Sequence, residues 1–498
     1  MLKIKAKRSL VLSLFIAAVF ILASTGLEAE DFPKDIPDGK ITQAAEVELA
    51  VAESVSSHLI DVNTEDGIVT LKGSVDNLYS KKRSEELVMK IKGVRSVVNA
   101  IEVRPTPKSD EDIKEDISNA MLWDNVVEDF EINTKVKNGI VELNGEVESW
   151  TEKKLAEDIA MTVTGVRGID NNIEINIRDE RPDDEIKNDI RRRLSMDPRI
   201  YEGAIEVYVD DGEVRLEGAV GSSSEKHLAY VDAWVSGVHN VNNDNLEVKW
   251  WAQDEYIRDS KISEVSDEKI SDAVEEAITY DPRLLGFNID IRTEDGIVWL
   301  SGNVNSMRAK LAAEKDAKNT IGVLMVNNNI KVRPAELYSD TFIADRIRQV
   351  LSWNPFVERH EIEVSVRNNK VYLDGDVDSQ FERRQAELAV SGVGGVVEID
   401  NNLEIEGEPA MSNDEKIEEN IESELYWSFL VESDEIDVHV DDGVAEINGE
   451  VDSWQEYNAA IENAFEGGAK MVDANLKVNG EDMDRPDYNY YEYYKWTY

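Results

Sequence analysis

A short glycine-punctuated motif occurs six times along the 498 residues of this chain. In its first copy, Asp66-Gly67 is followed by alternating apolar residues, a second glycine at Gly73 and a valine at Val75. The second glycines of the six copies are Gly73, Gly145, Gly218, Gly302, Gly375 and Gly449, at successive spacings of 72, 73, 84, 73 and 74 residues. A period of this size predicts one small domain repeated six times. It argues against one large enzyme that draws a single site from its whole chain.

The fourth copy gives the predicted order of elements most clearly. Ser266 and the acids after it favour a helix start, and apolar residues keep helical spacing until Asp281-Pro282 ends the helix. Two short alternating segments then flank Asp295-Gly296. This pair predicts a two-residue hairpin, because a type I′ turn needs positive φ at both central residues. A second helix over 306–321 ends at Gly322, a favourable C-cap, and a last strand follows.

The order helix, strand, strand, helix, strand predicts an α+β fold. Two helices on one face of a three-stranded mixed sheet are the simplest packing, and a strand that returns through a helix is expected to run parallel to the strand before it. We therefore predict a tandem array of six small αββαβ domains. Their predicted bounds are 42–105, 110–178, 183–250, 266–333, 339–406 and 413–479. The linker over 251–265 lengthens the third spacing and indicates a three-plus-three arrangement, and the first copy is expected to be shorter between its first helix and first strand.

Turn residues carry most of this prediction. Five of the six hairpins hold Asp-Gly or Asn-Gly, and the fifth holds Asn368-Asn369. Four second helices open with a Ser-x-x-Glu capping box, as at Ser149 and Glu152, in which each side chain satisfies a backbone donor. The glycines assigned to hairpins and turns are Gly67, Gly73, Gly139, Gly145, Gly212, Gly218, Gly296, Gly302, Gly375, Gly443 and Gly449.

The two ends of the chain lie outside the repeat. Basic residues from Lys3 to Arg8 precede an apolar run over 10–23, the pattern of a secretory signal, so 1–29 is predicted to be a signal peptide. Cleavage after Ala29 or Gly26 and retention as an uncleaved anchor stay open. Residues 480–498 form an aromatic tail rich in tyrosine, either disordered or able to pair with a partner as an added strand.

Composition limits the classes of partner. The formal charge is −50, and acids are spread through all six copies, so non-specific binding of nucleic acid is excluded because it needs basic phosphate contacts. The chain has no cysteine, which removes disulfides, thiol nucleophiles and thiolate metal sites.

The repeat resembles the BON domain, a family named for bacterial osmotic-stress and nodulation proteins. The residues that carry the resemblance are the hairpin with its apolar alternation, glycine and valine, as in Asp295 to Val304, and a later Gly-Val step such as Gly322-Val323. An Asn-rich final strand follows. In the fifth copy the step is read as Gly392-Val393, and the sixth copy departs from it with Gly467-Gly468-Ala469. The resemblance implies a non-catalytic envelope module that binds phospholipid or stabilises the envelope under osmotic stress.

Large apolar residues align at the end of the first helix in five copies. They are Trp123, Met196, Tyr280, Trp353 and Trp427. They fit two roles: contacts within or between copies, or interfacial anchors for a membrane or protein client. Trp250-Trp251 in the long linker is expected to pack between halves.

Two basic runs fall on predicted helices. Arg191, Arg192 and Arg193 form the denser run, and Lys81-Lys82-Arg83 the other. Each fits a solvated helix face or a contact with lipid phosphates.

We predict no catalytic, cofactor or metal site. The histidines, His58, His227, His239, His360 and His439, occupy different places within the repeat. The loop over 392–395 lies between a helix and a strand, the reverse of a dinucleotide fingerprint. Asp61, Asn63 and Glu65 begin like a calcium loop, but Gly67 falls one place late and the residues lie along a predicted strand.

The sequence therefore predicts an exported, non-enzymatic, multivalent protein in the periplasm or at the outer membrane. Its predicted role is envelope maintenance or osmotic-stress protection through contacts with phospholipid or envelope proteins, with no nucleic acid and no small-molecule substrate. The alternative is a soluble acidic scaffold or chaperone-like protein without affinity for lipid.

Overall fold

The computed structural model describes most of the chain after the N-terminal segment. The described residues are 36–52, 55, 59–124, 132–177, 181–253, 265–284, 286–336, 338–357, 361–405, 414–428, 430–431, 433–452, 454–478 and 480. The predicted signal segment, the aromatic tail, His58 and His360 lie outside these residues.

Each of the six copies contributes two helices. The first helices are Asp38–Val51 (α1), Asp110–Trp123 (α3), Asp183–Met196 (α5), Asp267–Tyr280 (α7), Asp340–Trp353 (α9) and Asp414–Trp427 (α11). The second helices are Leu78–Met89 (α2), Trp150–Met161 (α4), Ser223–Asp232 (α6), Met307–Lys318 (α8), Gln380–Ser391 (α10) and Trp454–Glu466 (α12). Three of the four predicted capping boxes show their serine bond directly, at Ser149, Ser222 and Ser379; for example, Ser149 Oγ accepts from the N–H of Glu152 at 3.2 Å. The fourth, at Ser453, lies outside the described residues.

The strands form one mixed sheet in each copy. They are Ile60–Glu65 (β1), Ile68–Val75 (β2), Ser96–Val103 (β3), Asn133–Lys137 (β4), Ile140–Val147 (β5), Gly168–Ile175 (β6), Ile205–Asp210 (β7), Glu213–Val220 (β8), Asn240–Asn242 (β9), Leu246–Val248 (β10), Ile289–Glu294 (β11), Ile297–Val304 (β12), Met325–Val332 (β13), Glu363–Arg367 (β14), Lys370–Val377 (β15), Glu398–Ile405 (β16), Ile436–Asp441 (β17), Val444–Val451 (β18) and Met471–Val478 (β19). The hairpin strands pair antiparallel, and the last strand pairs parallel to the central one, as in β12 with β13. The predicted α+β architecture and strand order are confirmed. In the third copy the last strand is split into β9 and β10 around residues 243–245.

The hairpins have the predicted geometry. Asp66 and Gly67 have φ of 52° and 71°, and Asn368 and Asn369 have 52° and 65°, so both central residues are left-handed even where glycine is absent. The second glycine of each copy is needed for a different reason. A Cβ at Gly73 would lie 1.8 Å from the carbonyl oxygen of Leu59, so only glycine lets the strands approach there.

An aspartate at the start of each first helix anchors the hairpin, a feature that the sequence reading missed. Asp267 accepts from the N–H of Asp295 and from the N–H of Gly296, both at 2.9 Å. The same pair of bonds is made by Asp38, Asp110, Asp183, Asp340 and Asp414, each 28 and 29 residues before its hairpin. The constant spacing was readable in the sequence. Because the first copy has it too, the expectation of a shorter first copy was wrong; α1 begins at Asp38, ahead of the predicted start at 42.

The Asn-rich last strand ties the sheet to the second helix. Asn328 donates to the carbonyl oxygen of Lys310 at 2.9 Å and to Glu314 at 3.0 Å, while its own oxygen accepts from the N–H of Ile330. Asn99, Asn171 and Asn401 make the same three bonds in their copies. A buried amide is costly unless all its groups are paired, and this arrangement pairs them.

Helices and sheet enclose an apolar core in the copies, and some cores take in a residue of another copy: Trp353 of copy five lies in the core of copy two, and Met307 of copy four in that of copy five. In the fourth, Ile270 and Val274 of α7 pack against Val298 and Leu300 of β12 and against Ala313 of α8. The opposite faces of the sheets carry mostly polar and acidic side chains, together with some exposed apolar residues such as Ile68 and Val98. Within the part of the chain that the structure describes, no helix has the length and apolar character needed to cross a bilayer.

Candidate functional site

The chain folds back so that copies from its two halves pack in pairs. The carbonyl oxygen of Trp353, in copy five, accepts from the N–H of Thr164 in copy two at 2.9 Å, and that of Trp123 accepts from Gly394 in copy five at 3.1 Å. Copies one and six are joined by Lys92 and Trp427 in the same way, at 3.1 Å. Copies three and four are joined by Ile321 and Met196 at 2.7 Å. This pairing is the three-plus-three arrangement that the long linker indicated.

The N–H donor occupies the same repeat position in all four contacts. It is the residue just before a glycine that has positive φ and follows the second helix of its copy. That glycine is Gly395 in copy five, with φ of 93°, whereas Gly392 is the C-cap of α10 with φ of −77°. Assigning the step of copy five to Gly392-Val393 was therefore wrong by three residues. Because this loop holds three glycines, the sequence alone does not show which of them aligns with the turn glycine of the other copies.

The aromatic column of the first helices lies at these paired contacts. Trp123 and Trp353 stack with ring centroids 5.6 Å apart, and Trp353 is only 3% exposed. The guanidinium of Arg346 lies over the Trp123 ring at 5.4 Å. Met196 and Trp427 are partly buried, and the side chain of Tyr280 lies outside the described residues. The structure thus uses Trp123 and Trp353 as contacts between copies, one of the two roles that the sequence left open.

The two basic runs are largely paired with acids. Arg192 pairs with Asp189 and with Glu276 of copy four, both at 2.5 Å, and Arg193 lies 3.5 Å from Asp232. Arg191 is exposed. The other run joins copies: Lys82 lies 3.3 Å from Asp158 in copy two, and Arg83 pairs with Glu466 in copy six.

A cluster of three carboxylates lies at the contact between copies one and six. Glu48, Glu424 and Glu466 bring carboxylate oxygens within 4.8 Å of one another. Burial raises the pKa of Glu48 and, together with the charge of Glu48, raises that of Glu424 well above its ordinary value, and the two share a hydrogen bond. Despite its burial, Glu466 has a lowered pKa because Lys90 and Arg83 lie beside it. Protonation and these two cations offset the mutual repulsion of the three carboxylates.

A chamber of about 380 Å³ lies between copies one, two, four and five. Side chains from their second helices line it, with the Trp123–Trp353 stack at one side. Its apolar lining includes Leu155, Leu311 and Leu388. Because four copies build it, no local sequence pattern indicates this chamber.

Four cationic and three acidic side chains line the chamber. They are Lys82, Arg283, Arg308 and Lys315, with Glu86, Asp124 and Asp158. The three acids are all engaged: Asp124 lies 3.0 Å from Arg308, and Asp158 and Glu86 lie 3.3 and 3.7 Å from Lys82. Arg283 pairs with Asp281 in its own loop. The ammonium of Lys315 has no hydrogen bond or ion pair with any described residue.

Lys315 faces the chamber. Its side chain is exposed to solvent, and desolvation by the surrounding protein, with Arg283 and Arg199 nearby, lowers the pKa of its ammonium. The neighbouring Asp316 has a pKa well above its ordinary value because of burial and the charge of Asp281.

The remaining candidates stay apart. His227, His239 and His439 lie in three different settings, respectively a second helix, the segment before β9 and the exposed face of β17. Asp61, Asn63 and Glu65 lie exposed along β1, which fits a solvated face.

Comparison with known proteins agrees with the repeat. The BON domain family matches this chain over residues 37–105, 109–177, 182–249, 266–334, 339–407 and 413–480. Osmotically-inducible protein Y of Escherichia coli (strain K12) is 27% identical over 143 residues, which cover 27% of this chain and 71% of that protein.

Solved structures give a weaker likeness. Two structures of CdsD, a structural protein of the type III secretion system of Chlamydia trachomatis, one of them of its C-terminal domain, are 14% and 13% identical. They cover 44% and 43% of this chain and 98% and 99% of their own, each with a TM-score of 0.12, too low to carry a conclusion here. The six family matches take in most of the sequence, and the chain belongs to the BON domain family.

Proposed function

We propose that this chain is an exported, non-enzymatic scaffold that acts in osmotic-stress protection of the cell envelope. Membership of the BON family and the likeness to an osmotically inducible protein support the role in osmotic stress and the absence of catalysis. The apolar run over 10–23 after basic residues supports export, with a periplasmic or outer-membrane location.

The observation that carries the scaffold proposal is the burial of the Trp123–Trp353 stack. A membrane anchor needs its aromatic rings at the surface, whereas Trp353 is 3% exposed. The outer faces of the sheets are one surface that remains open to partners. They are acidic, and three of them carry an arginine over an aromatic ring, such as Arg292 at 5.5 Å from the Trp299 ring. Envelope proteins, bound weakly at several such faces and therefore with avidity, are the proposed partners.

Phospholipid binding is the second candidate. Leu122 and Tyr426, each just before a tryptophan of the column, are 56% and 57% exposed, and Arg191 is exposed on α5. Apolar and basic groups of this kind are able to contact an anionic bilayer surface.

Vesicle flotation separates the two candidates. The scaffold proposal expects no association with phosphatidylglycerol vesicles at low or at physiological salt. Association at low salt that Leu122→Glu and Tyr426→Glu abolish would favour phospholipid binding instead. The osmotic role is tested in the source organism by deleting the gene and measuring survival after a hyperosmotic shift. Unchanged survival of the deletion strain would contradict it.

A further inference from the structure

We propose that the chamber between copies one, two, four and five binds one small organic anion with an apolar body, with its charged group beside Lys315. The ligand is bound and not converted. The proposal concerns the cavity between copies, so it is separate from the outer sheet faces and helix residues that would contact envelope proteins or lipid.

The sign of charge in the chamber is the first argument. The chain holds 104 acidic and 54 basic residues, so any randomly chosen surface of this protein is expected to be acidic. The chamber lining has the opposite balance of charge, with four cationic and three acidic side chains. A site that gathers positive charge inside a strongly acidic protein is suited to attract an anion, because fields are stronger where water is partly excluded.

The second argument is the distribution of that charge. Lys82 and Arg308 are engaged by the three acids of the lining, and Arg283 by Asp281. Lys315 is the lining cation left without a direct partner among the described residues. Its exposed ammonium is therefore available to an anion that enters the chamber, and the cations nearby add to the attraction. The Nε of Arg308, also without a hydrogen-bond partner among these residues, is a second donor two turns away on the same face of α8.

The third argument concerns shape. Arg308, Leu311, Ala312 and Lys315 follow one another along the face of α8 that lines the chamber, so two cations flank an apolar stretch. Leu388 of α10 and Leu155 of α4 extend that apolar surface. A volume of about 380 Å³ lies within the range of pockets that hold small molecules. This lining fits a ligand with a hydrocarbon or aromatic body and one anionic group.

Isothermal titration calorimetry of the full chain with decanoate tests the proposal. Decyltrimethylammonium, which has the same chain length and the opposite charge, is the matched probe. The net charge of −50 favours the cation for non-specific adsorption. The chamber favours the anion, so we expect decanoate to bind with a stoichiometry of one and more tightly than the cation.

Variants tie the binding to Lys315. Lys315→Gln is expected to weaken decanoate binding about tenfold, the effect of losing one charged hydrogen bond. Lys315→Arg keeps the charge and is expected to retain binding. Lys331→Gln removes an equal charge from the exposed face of β13 in the same copy and should bind as the unmodified protein does.

Three results would overturn the proposal. They are equal affinity for decanoate in the Lys315→Gln and unmodified proteins, tighter binding of decyltrimethylammonium than of decanoate, and many weak sites per chain. Inorganic phosphate, used as a head group without a chain, should bind more weakly than decanoate. Equal affinity would contradict the apolar part of the site. Circular dichroism of each variant, expected to match the unmodified protein, excludes misfolding as the cause of lost binding. If Lys315→Gln does not fold, the comparison of decanoate with decyltrimethylammonium on the unmodified protein still tests the proposal.

Discussion

Trp123 of copy two stacks on Trp353 of copy five with an interplanar angle of 22°. The two rings, and the main-chain bonds beside them, join halves of the chain that are far apart in sequence. Replacing Trp353 by alanine should lower the free energy of unfolding by about 3–5 kcal/mol, because it empties a buried site between copies. Trp299→Ala, on the outer face of a sheet, should cost much less. Urea denaturation followed by circular dichroism measures both, and equal losses would contradict an interface role for the stack.

The aspartate anchors of the hairpins give a second prediction. Asp340→Ala removes two bonds to the N–H groups of Asn368 and Asn369, and should destabilise copy five by about 1–3 kcal/mol, since these donors point at a charged acceptor. Asp345→Ala on the same helix removes only an exposed pair with Arg348 and should cost less than about 1 kcal/mol. Hydrogen exchange of the hairpin amides should speed up in the first variant alone.

Gly73 and Gly39 form a matched pair for the steric prediction. A Cβ at Gly73, where φ is 131°, would collide with the carbonyl oxygen of Leu59, so Gly73→Ala should cost about 3 kcal/mol or more. Gly39 lies in α1 with no atom within 4 Å of its added Cβ, so Gly39→Ala should stabilise the protein by about 0.5–1 kcal/mol. Stability measured by urea denaturation should therefore change in opposite directions. Two changes of the same sign would be inconsistent with this geometry.

The carboxyl pair Glu48–Glu424 predicts a dependence of stability on pH. Both groups have pKa values raised in the folded protein, so the folded state holds more protons than the unfolded one above pH 4.5. Their contribution is present at low pH and is lost as pH rises through the raised pKa values. Glu466, whose pKa is lowered beside Arg83 and Lys90, acts oppositely and loses its contribution as pH falls through its lowered value.

Glu424→Gln isolates the effect of the pair. Glutamine resembles the protonated acid, so this variant should be more stable than the unmodified protein at pH 8 and lose most of the advantage at pH 5. Glu422→Gln, exposed on the same helix, is the control and should show no such difference. Urea denaturation at the two pH values measures the difference. If the Glu424→Gln variant were less stable than the unmodified protein at pH 8, the interpretation that Glu48 and Glu424 share a proton in the folded state would be wrong.

Much of each copy was predictable because its signals are local. The pairs Asp295-Gly296 and Asn368-Asn369 demand left-handed backbone whatever surrounds them, and the structure has it at both. The position of a turn glycine within a loop is harder to predict from sequence. Residues 392–395 hold three glycines, and only the positive φ of Gly395 shows which one matches the turn glycine of the other copies. The role of Asp267 depends on a hairpin 28 residues further along the chain. Each copy has an aspartate at this spacing, but no local pattern links the two positions.

By itself, the sequence determined the sixfold repeat, the order of helices and strands, and the strong acidity. Only the tertiary structure decided which copies meet, because six similar units carry similar local signals and none of those signals names a partner. It also decided the fate of particular side chains. Trp353 is covered and Lys315 faces a chamber because residues from other copies, hundreds of positions away along the chain for some, close around them.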